Sequence, residues 1–482
     1  MSADPALPLV VDLDGTLTPT DTLVESVLRV LRQSPLNVIR MPFWLGGGRR
    51  AFKQAIAERT ELPAHSLPYR EDLLDYLREQ KARGRRIVLA TAAHKSIANA
   101  VAEHLGLFDQ VLATGTGANL KGEAKLAAIR AQVGEDFVYA GDSAADLPVW
   151  RGARGAILVD VSAANAEAAR AHTPVEREFH AEPRGIGLWL KALRLHQWIK
   201  NLLLFVPMLT ALGYMDPGLW ATAIQAFLAF SLTASATYVV NDLWDLDNDR
   251  AHPRKCRRPF ASARLPIGHG LAAAAGVLGL GLVLALLVSP AFLFTVLLYL
   301  VLTSAYSWLL KHYVLIDVMM LSLLFTLRIV AGAVALGTGL SSWLLAFSVF
   351  IFISLALVKR CAELVSLDKS GVSAASGRDY RVSDLVVLWP LGVGTAIASV
   401  IVLGFFIGAP ETQLRYGTPM LLWLLAFILI YWLARLWVKT SRGEMHDDPL
   451  VFALKDAASR IAVLAMVAVV LAAHLLHLGS VF

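Results

Sequence analysis

Asn241-Asp242-Leu243-Trp244-Asp245-Leu246-Asp247-Asn248-Asp249-Arg250-Ala251-His252-Pro253-Arg254-Lys255-Cys256-Arg257-Arg258-Pro259 is a dense run of aspartates that passes straight into a dense run of bases, just after an apolar segment. Asp242, Asp245 and Asp249 fall three and four residues apart, a spacing that stacks them on one face if the stretch is helical. Hard carboxylate oxygens so placed suit Mg²⁺, which keeps coordination positions for water and phosphate when only one or two carboxylates bind it. Arg254, Lys255, Arg257 and Arg258 would neutralise what the metal does not. A solvated charged helix end is the ordinary reading of a charge run. So many acids beside an apolar span have no packing role, and the stretch reads instead as a magnesium and diphosphate site at a membrane surface.

Composition agrees with a membrane setting. The 482-residue chain is 56% hydrophobic, with a mean hydropathy of +0.57, and its long apolar runs all lie beyond about residue 200. Nine spans are expected, at 200–215, 220–241, 269–288, 291–308, 314–336, 343–364, 385–407, 419–437 and 461–478. Lys and Arg crowd the connections at 242–268, Lys311, 359–381 and 435–460, whereas 289–290 and 337–342 carry none, so the basic loops are expected on the cytoplasmic side. This asymmetry accounts for the net charge of +6 and the pI of 9.3. No aromatic and basic interleaving supports nucleic-acid binding. Cys256 and Cys361 are expected in cytosolic loops as free thiols, with no disulfide framework. Met1 to Pro8 lack the basic start and apolar core of a signal peptide, so the front domain is expected in the cytoplasm and the whole chain in the inner membrane.

Ionisable residues in or near the spans mark a ligand cavity. Arg328 stands eleven residues past Asp317 on one apolar helix, about 16 Å deeper at the α-helical rise. Such a residue must face a polar cavity, serving either as a structural partner of carboxylates and backbone carbonyls or as a cation for a substrate phosphate. Lys200, Lys311, Lys359 and Arg360 stand near other span ends, followed by Glu363, Arg378, Tyr380 and Arg381. Each base could snorkel to lipid headgroups, and together they could ring an anionic ligand carrying more than one phosphate.

Asn241-Asp242 with Asp245 and Asp249, then Lys255 and Arg258-Pro259, resembles the first aspartate-rich motif of the UbiA superfamily of intramembrane prenyltransferases, over roughly residues 190–482. Members typically carry a second aspartate-rich motif after the sixth span. Here that place holds Lys359-Arg360-Cys361-Ala362-Glu363, then Asp368-Lys369 and Tyr380-Arg381. Together with Gln197-Trp198-Ile199-Lys200-Asn201 and Tyr306-Ser307 before Leu310-Lys311, this is similar to the decaprenyl-phosphate phosphoribosyltransferase branch. The resemblance implies phosphoribosyl pyrophosphate as donor and a polyprenyl phosphate lipid as acceptor. A 5-phosphate without its own metal is best held by Arg and Lys, which suits bases where acids usually stand.

The front of the chain carries separate chemistry. Leu9-Val10-Val11 runs into Asp12-Leu13-Asp14-Gly15-Thr16, Ile87 to Ala90 ends at Thr91, and Phe137 to Ala140 leads into Gly141-Asp142-Ser143-Ala144-Ala145-Asp146. Three strands ending in polar residues match the site placement of doubly wound parallel sheets. The set resembles the haloacid-dehalogenase superfamily of phosphatases over about residues 7–178. The resemblance implies Asp12 as nucleophile and Asp14 as general acid and base. It gives Thr91 a phosphoryl oxygen to hold and makes Lys125, rather than Lys121, the neutralising lysine. Mg²⁺ is implied at Asp12 and Asp142 with Asp146 in support, and Asp14 is counted in the metal set. A helix cap and first-turn acid is the plain alternative for Asp142 and Asp146, and a strand-end turn for Thr91.

Between Asp14 and Thr91, helical patterns at Thr22–Arg32, Arg49–Glu58 and Arg70–Arg83 suggest a helical cap over about 20–80, with Gly46-Gly47-Gly48 as loop punctuation or a flexible turn. Pro174, Pro183, Gly185 and Gly187 mark a boundary. Trp189, Leu193 and Trp198 among Lys191, Arg194 and His196 suggest an interfacial helix or the start of the first span. The expected organisation is an α/β doubly wound domain at 1–178, a linker and interfacial helix at 179–198, and an all-α polytopic membrane domain at 199–482.

These features describe a bifunctional enzyme. The membrane half would move 5-phosphoribose to a polyprenyl phosphate with loss of pyrophosphate, and the phosphatase half would remove the 5-phosphate. A conventional prenyltransferase using a prenyl diphosphate donor, with an accessory phosphatase, is the second reading. A lipid-binding scaffold with an inactive phosphatase domain is the third, opposed by intact acidic motifs in both halves.

Overall fold

The computed structural model describes residues 7–115, 120–181, 185–371, 378–445 and 448–477; Pro183 of the expected boundary lies outside them. The chain divides into two compact units, Met1–Arg194 with Tyr238–Ala275, and Leu195–Thr237 with Gly276–Phe482.

The first unit is built on six parallel strands, β1 (Leu9–Val11), β2 (Ile87–His94), β3 (Gln110–Thr114), β4 (Val138–Gly141), β5 (Gly155–Val159) and β6 (Val175–Phe179), in the order β3-β2-β1-β4-β5-β6. Leu9, Val10 and Val11 have no exposed surface, as continuous apolar runs require when helices cover both faces of a parallel sheet. Leu89, Leu73 and Leu77 pack on one face, and Val88, Tyr139 and Trp150 on the other. Because β1 pairs with β2 on one side and β4 on the other, the order reverses at β1, and the crevice at its carboxyl end falls at Asp12. β2 runs three residues beyond Thr91, so that threonine sits inside the strand rather than at its end.

The insert after β1 holds three helices, α1 (Thr22–Gln33), α2 (Asn37–Gly46) and α3 (Gly48–Ala57), before a further helix at Glu71–Ala82. Asp21 caps α1 by accepting from the Leu23 and Val24 amides. Gly47 separates α2 from α3, and Gly48 has a φ of +87°, so the glycine run is a tight inter-helix turn. α2 itself escapes a search for helical patterns because Pro42 interrupts it.

Residues Tyr238–Ala275 complete this unit. Leu188, Ala192, Leu243, Leu246, Phe260 and Leu265 form one apolar cluster, with Val24 and Leu28 of α1 and Trp189 packed against it. The same face of α1 carries charge. Both terminal Arg250 nitrogens reach the Glu25 carboxylate, at 2.7 and 2.8 Å, with the two side chains 8% and 3% exposed. Arg29 pairs with Asp247 beside it.

Among the described residues eight helices are long and apolar enough to cross a membrane: Pro217–Trp244, Ile267–Val288, Pro290–Trp308, Ile316–Leu336, Ser342–Lys369, Val382–Gly408, Pro419–Ser441 and Ala457–Leu475. The protein is an integral membrane protein. The ninth span expected at 200–215 is replaced by 3₁₀ turns over Leu195–Phe205 and a five-residue helix, Val206–Thr210. Its polar residues explain the break, since Asn201 is buried and donates to Ser231, and Lys200 pairs with Asp448. The turns pack tightly on Ile316–Leu336, where a Cβ on Gly332 would lie 2.1 Å from the Leu204 carbonyl oxygen, so only glycine admits that approach. Cys361 lies buried inside the Ser342–Lys369 helix, not in a loop, because that helix continues through the basic residues expected to end it. Cys256 sits in the 3₁₀ turn Lys255–Arg257, and both thiols are free.

Arg250→Ala strands the Glu25 carboxylate in an apolar setting, and removing one partner of such a pair costs about 3–5 kcal/mol. The expected result is faster proteolysis within the first unit, with most of the loss recovered in Glu25→Leu/Arg250→Met, as a pulse-proteolysis double-mutant cycle would read.

Candidate active sites

At the carboxyl end of β1, Asp12 is 8% exposed and its Oδ1 accepts from the Leu13 amide at 2.8 Å. Lys125, near the start of the helix Glu123–Gln132, places Nζ 2.7 Å from Asp12 Oδ2 and 3.5 Å from Asp146 Oδ1. Tyr139 of β4 accepts from Lys125 at 2.8 Å and donates to Asp146 at 2.7 Å. Asp146 also accepts from the Ser143 hydroxyl and amide, each at 3.1 Å, so the turn after β4 is locked around it. Asp12, Asp142 and Asp146 can place one oxygen each within 4.8 Å of one another. An all-oxygen set of three carboxylates at this density fits a hard divalent cation. Asp14 stands apart from that group, because its Oδ1 is engaged by the Thr22 amide at 2.8 Å at the start of α1.

Electrostatics follow from this crowding. Burial, with the Asp146 and Asp12 charges added, pushes Asp142 up to about 7. Burial and the Asp21 charge likewise raise Asp14 to about 7. Asp12 is raised by burial, with Lys125 working against that shift. Burial alone would lower Lys125, but Asp12 and Asp146 outweigh it and keep the ammonium charged.

Thr91 is fully buried, and its hydroxyl accepts from the Ala93 amide at 3.0 Å. The sequence reading passed over Gly15, whose φ is +78° and where a Cβ would lie 2.1 Å from Asp142 Oδ2. It also passed over Tyr139 and over Lys53 of α3, which donates to the Ala92 carbonyl at 2.6 Å. Only the spacing of Tyr139 between two motifs could have hinted at its part. A cavity of about 730 Å³ opens over Asp12, lined by Asp14, Leu45, Phe52, Lys53, His94 and Lys121 among others.

The aspartate-rich stretch is not one helix. The span ends at Trp244, Asp245 begins a new short helix, Leu246–Ala251, and Asp242 and Asp249 flank that break. Asp242 and Asp249 are buried, and a single Arg258 nitrogen bridges them at 3.1 and 2.6 Å, while Arg194 also pairs with Asp242. The carboxylates are therefore tied by guanidinium groups rather than stacked on a helix face. Burial raises Asp249 against the pull of Arg258. Asn241 and Asp245 are half-buried at the same break, whereas Lys255 and Arg257 are exposed. The oxygen donors remain of the kind Mg²⁺ takes.

In the second unit Arg360 is 1% exposed; its Nε lies 2.5 Å from Asp317, and it also reaches Glu363 at 2.6 Å and the Tyr306 hydroxyl at 3.4 Å. Tyr380 donates to the other Asp317 oxygen at 2.5 Å and accepts from the Leu315 amide. Arg378 closes the network onto Glu363 at 2.8 Å. Asp317 is thus the hub of this network. Asp448, which no motif signalled, accepts from Lys200 at 2.9 Å and Lys359 at 3.3 Å. Arg328 has its Nε 2.9 Å from Asn201 Oδ1, bonds the Leu324 carbonyl, and lies over the rings of Phe230, Tyr299 and Phe325. Those rings and oxygen acceptors enclose the guanidinium. Lys311 sits in the 3₁₀ turn Leu310–His312, and the Arg381 amide donates to Asp384 at a helix start.

A fold of this kind, a phosphatase-type sheet followed by a bundle of membrane helices, defines a two-domain membrane enzyme. The UbiA prenyltransferase family model matches residues 202–455, and the haloacid dehalogenase-like hydrolase model matches 9–151. The chain belongs to the UbiA prenyltransferase family and carries a haloacid dehalogenase-like domain at its front. It is 40% identical over 463 residues to uncharacterized protein y4nM of Sinorhizobium fredii, covering 95% of this chain and 89% of that one. It is 34% identical to nodulation protein NoeC of Azorhizobium caulinodans over 58% of this chain and 90% of the relative. The decaprenyl-phosphate phosphoribosyltransferase of Mycobacterium tuberculosis is 30% identical over 59% of this chain and 93% of its own length.

Gly15→Ala drives a methyl group into Asp142 and disfavours the backbone turn. Phosphomonoesterase activity is expected to fall at least about 100-fold, the scale set by an ångström-sized displacement of reacting groups. The check is hydrolysis of p-nitrophenyl phosphate beside a thermal melt, with the loss of activity persisting well below a lowered melting transition.

Proposed function

We propose that the membrane half transfers 5-phosphoribose from phosphoribosyl pyrophosphate to a polyprenyl phosphate, and that the front domain then hydrolyses the 5-phosphate from the lipid-linked product. The observation that carries the donor assignment is the Lys359-Arg360 pair where a second acidic cluster is usual in the family the sequence resembles. The similarity to relatives named decaprenyl-phosphate phosphoribosyltransferase supports it. Asp242, Asp245 and Asp249 are assigned to Mg²⁺ and the diphosphate, with Asn241, Lys255, Arg257 and Arg258 completing that charge balance. Lys200, Tyr306, Lys311, Lys359, Arg360, Tyr380 and Arg381 are assigned to phosphate recognition, with Glu363 orienting Arg360. Arg328 would support them through Asn201. Bound Mg²⁺ would supply charge neutralisation of the leaving pyrophosphate and of the transferred phosphoryl group.

In transfer, a lipid phosphate oxygen attacks the anomeric carbon, the new C–O bond forms as the bond to pyrophosphate breaks, and Arg258 is placed to shift from carboxylates to departing phosphate oxygens. In the front domain, an Asp12 oxygen attacks phosphorus, the bond to the ribose 5-oxygen breaks, and Asp14 protonates that oxygen. Lys125 and Thr91 hold phosphoryl oxygens. Asp14 then takes a proton from the water that opens the aspartyl-phosphate. Holding both activities in one chain keeps the lipid product at a high local concentration for the second step. The basic loops support a cytoplasmic side for this chemistry, and the proposed location is the inner membrane.

The family description itself favours a second reading, transfer of a prenyl group from its diphosphate to another acceptor. Mass spectrometry of lipids made from Mg²⁺, phosphoribosyl pyrophosphate and a polyprenyl phosphate separates the two. Wild type is expected to yield ribosylated lipid, Asp12→Asn its 5-phosphorylated form, and Asp242→Asn neither. An Asp12→Asn product identical to that of wild type would remove the sequential coupling, and absence of any ribosylated lipid would move the assignment to a prenyl diphosphate donor.

A further inference from the structure

Cap helix α2 turns its apolar residues away from the protein. Asn37, Met41 and Trp44, spaced four and three residues apart, face inward, and Asn37 donates to the Val30 carbonyl at 3.2 Å. Val38, Ile39, Pro42, Phe43 and Leu45 occupy the opposite arc with Leu36 just before them. Leu36 is 70%, Ile39 66% and Phe43 79% exposed, far beyond the scattered single apolar residues of an ordinary surface. A contiguous apolar face on a short helix requires an occupant.

Two observations choose among occupants. From Ser26 to Ala57 the sequence contains six basic residues, Arg29, Arg32, Arg40, Arg49, Arg50 and Lys53, and no acid. Arg40 is exposed on α2 itself. Arg29 and Arg32 are turned to Asp247 and Lys53 to the Ala92 carbonyl, so the base that accompanies the apolar arc is Arg40, in an acid-free tract. Apolar residues with an exposed base beside them and no acid suit the headgroup region of an anionic bilayer. The first unit also holds the cap at a membrane boundary. Val24 and Leu28 of α1 pack on Leu243 and Leu246, at the end of the membrane-spanning helix Pro217–Trp244, and Arg29 and Glu25 pair with Asp247 and Arg250 just beyond it. α2 follows α1 directly in the chain, and α1 is packed against the end of that span.

We infer that α2 is a monotopic membrane-docking helix, its Leu36, Val38, Ile39 and Phe43 side chains inserted among the acyl chains of an anionic phospholipid bilayer. Arg40, exposed on the same helix, binds a lipid phosphate. Leu45 stands on this exposed side and also lines the cavity over Asp12, so the docked face borders the phosphatase entrance. The inference concerns lipid contact alone and stands whichever donor the membrane half uses.

The test uses the full chain in nanodiscs. Cys256→Ser and Cys361→Ala remove the native thiols, and Phe43→Cys or Glu135→Cys then carries an environment-sensitive fluorophore, Glu135 lying on a solvated turn of the same unit. Discs of phosphatidylcholine with phosphatidylglycerol, or of phosphatidylcholine alone, contain a lipid bearing a quencher in its acyl chain. Quenching at position 43 is expected to exceed that at 135 by at least about threefold, and to weaken in the neutral discs and in Ile39→Glu. Equal quenching at the two positions in both lipids overturns the inference. So does a disulfide between the position-43 cysteines of two copies without lipid quenching, which would assign the face to a second copy. Because the readout does not involve turnover, failure of the docking helix and failure of the proposed reaction are separate results.

Discussion

Buried carboxylates in this protein are held in place by cations set against them. Lys125 stands between Asp12 and Asp146, Arg250 forks onto Glu25, Arg258 bridges Asp242 and Asp249, and Arg360 lies against Asp317. An isolated charge in such surroundings would neutralise or drive the chain apart, whereas a paired one with its remaining lone pairs satisfied is tolerated and fixes geometry. The consequence differs from place to place. Around Asp12 three carboxylates share one lysine, which leaves an excess of negative charge for a divalent cation. Around Asp317 the ion pair is further closed by a tyrosine, so one carboxylate positions both Arg360 and Tyr380.

The pair between Glu25 and Arg250 gives the first unit its composition. An insert helix of the phosphatase-type domain and the loop after a membrane span become one packed body because α1 presents Val24 and Leu28 to an apolar cluster and Glu25 and Arg29 to opposite charges beside it. The aspartate-rich stretch therefore contributes two kinds of acid. Asp242 and Asp249 pair with Arg258, while Asp247, in the same run, is turned to the cap. Spacing by three and four selects Asp242, Asp245 and Asp249 and leaves Asp247 aside, but the partner of Asp247, Arg29, is supplied only by folding.

Much of the phosphatase-type site was legible because most of its residues follow a strand or open a helix at a set offset, Thr91 inside β2 being the exception, and local chain geometry delivers them to one sheet edge. Asp12, Asp142 and Asp146 converge in this way, and Lys125 arrives with the start of its helix. Tyr139 and Gly15 were not legible. A tyrosine in a strand is ordinary, and a glycine after a motif announces nothing until the Asp142 carboxylate is found where its Cβ would be. In the membrane half the individual bases could be seen but their partners could not. Asp448 lies 248 residues from Lys200, and Asn201 lies 127 residues from Arg328. Sequence spacing carries no signal at such separations.

By itself the sequence determined that a parallel α/β domain precedes a bundle of apolar helices, since strand and span lengths, their punctuation and the residues at their ends are local properties of the chain. Tertiary structure alone decided that the segment at 200–215 would be broken turns rather than a span, that the aspartate-rich run would bend at Asp245, and that Arg328 would be enclosed by aromatic rings. It also decided which face of α2 would lack neighbours. The physical reason is common to all four. Each depends on which distant side chain satisfies a buried polar group or covers an apolar one, and that choice is made only when the chain has folded.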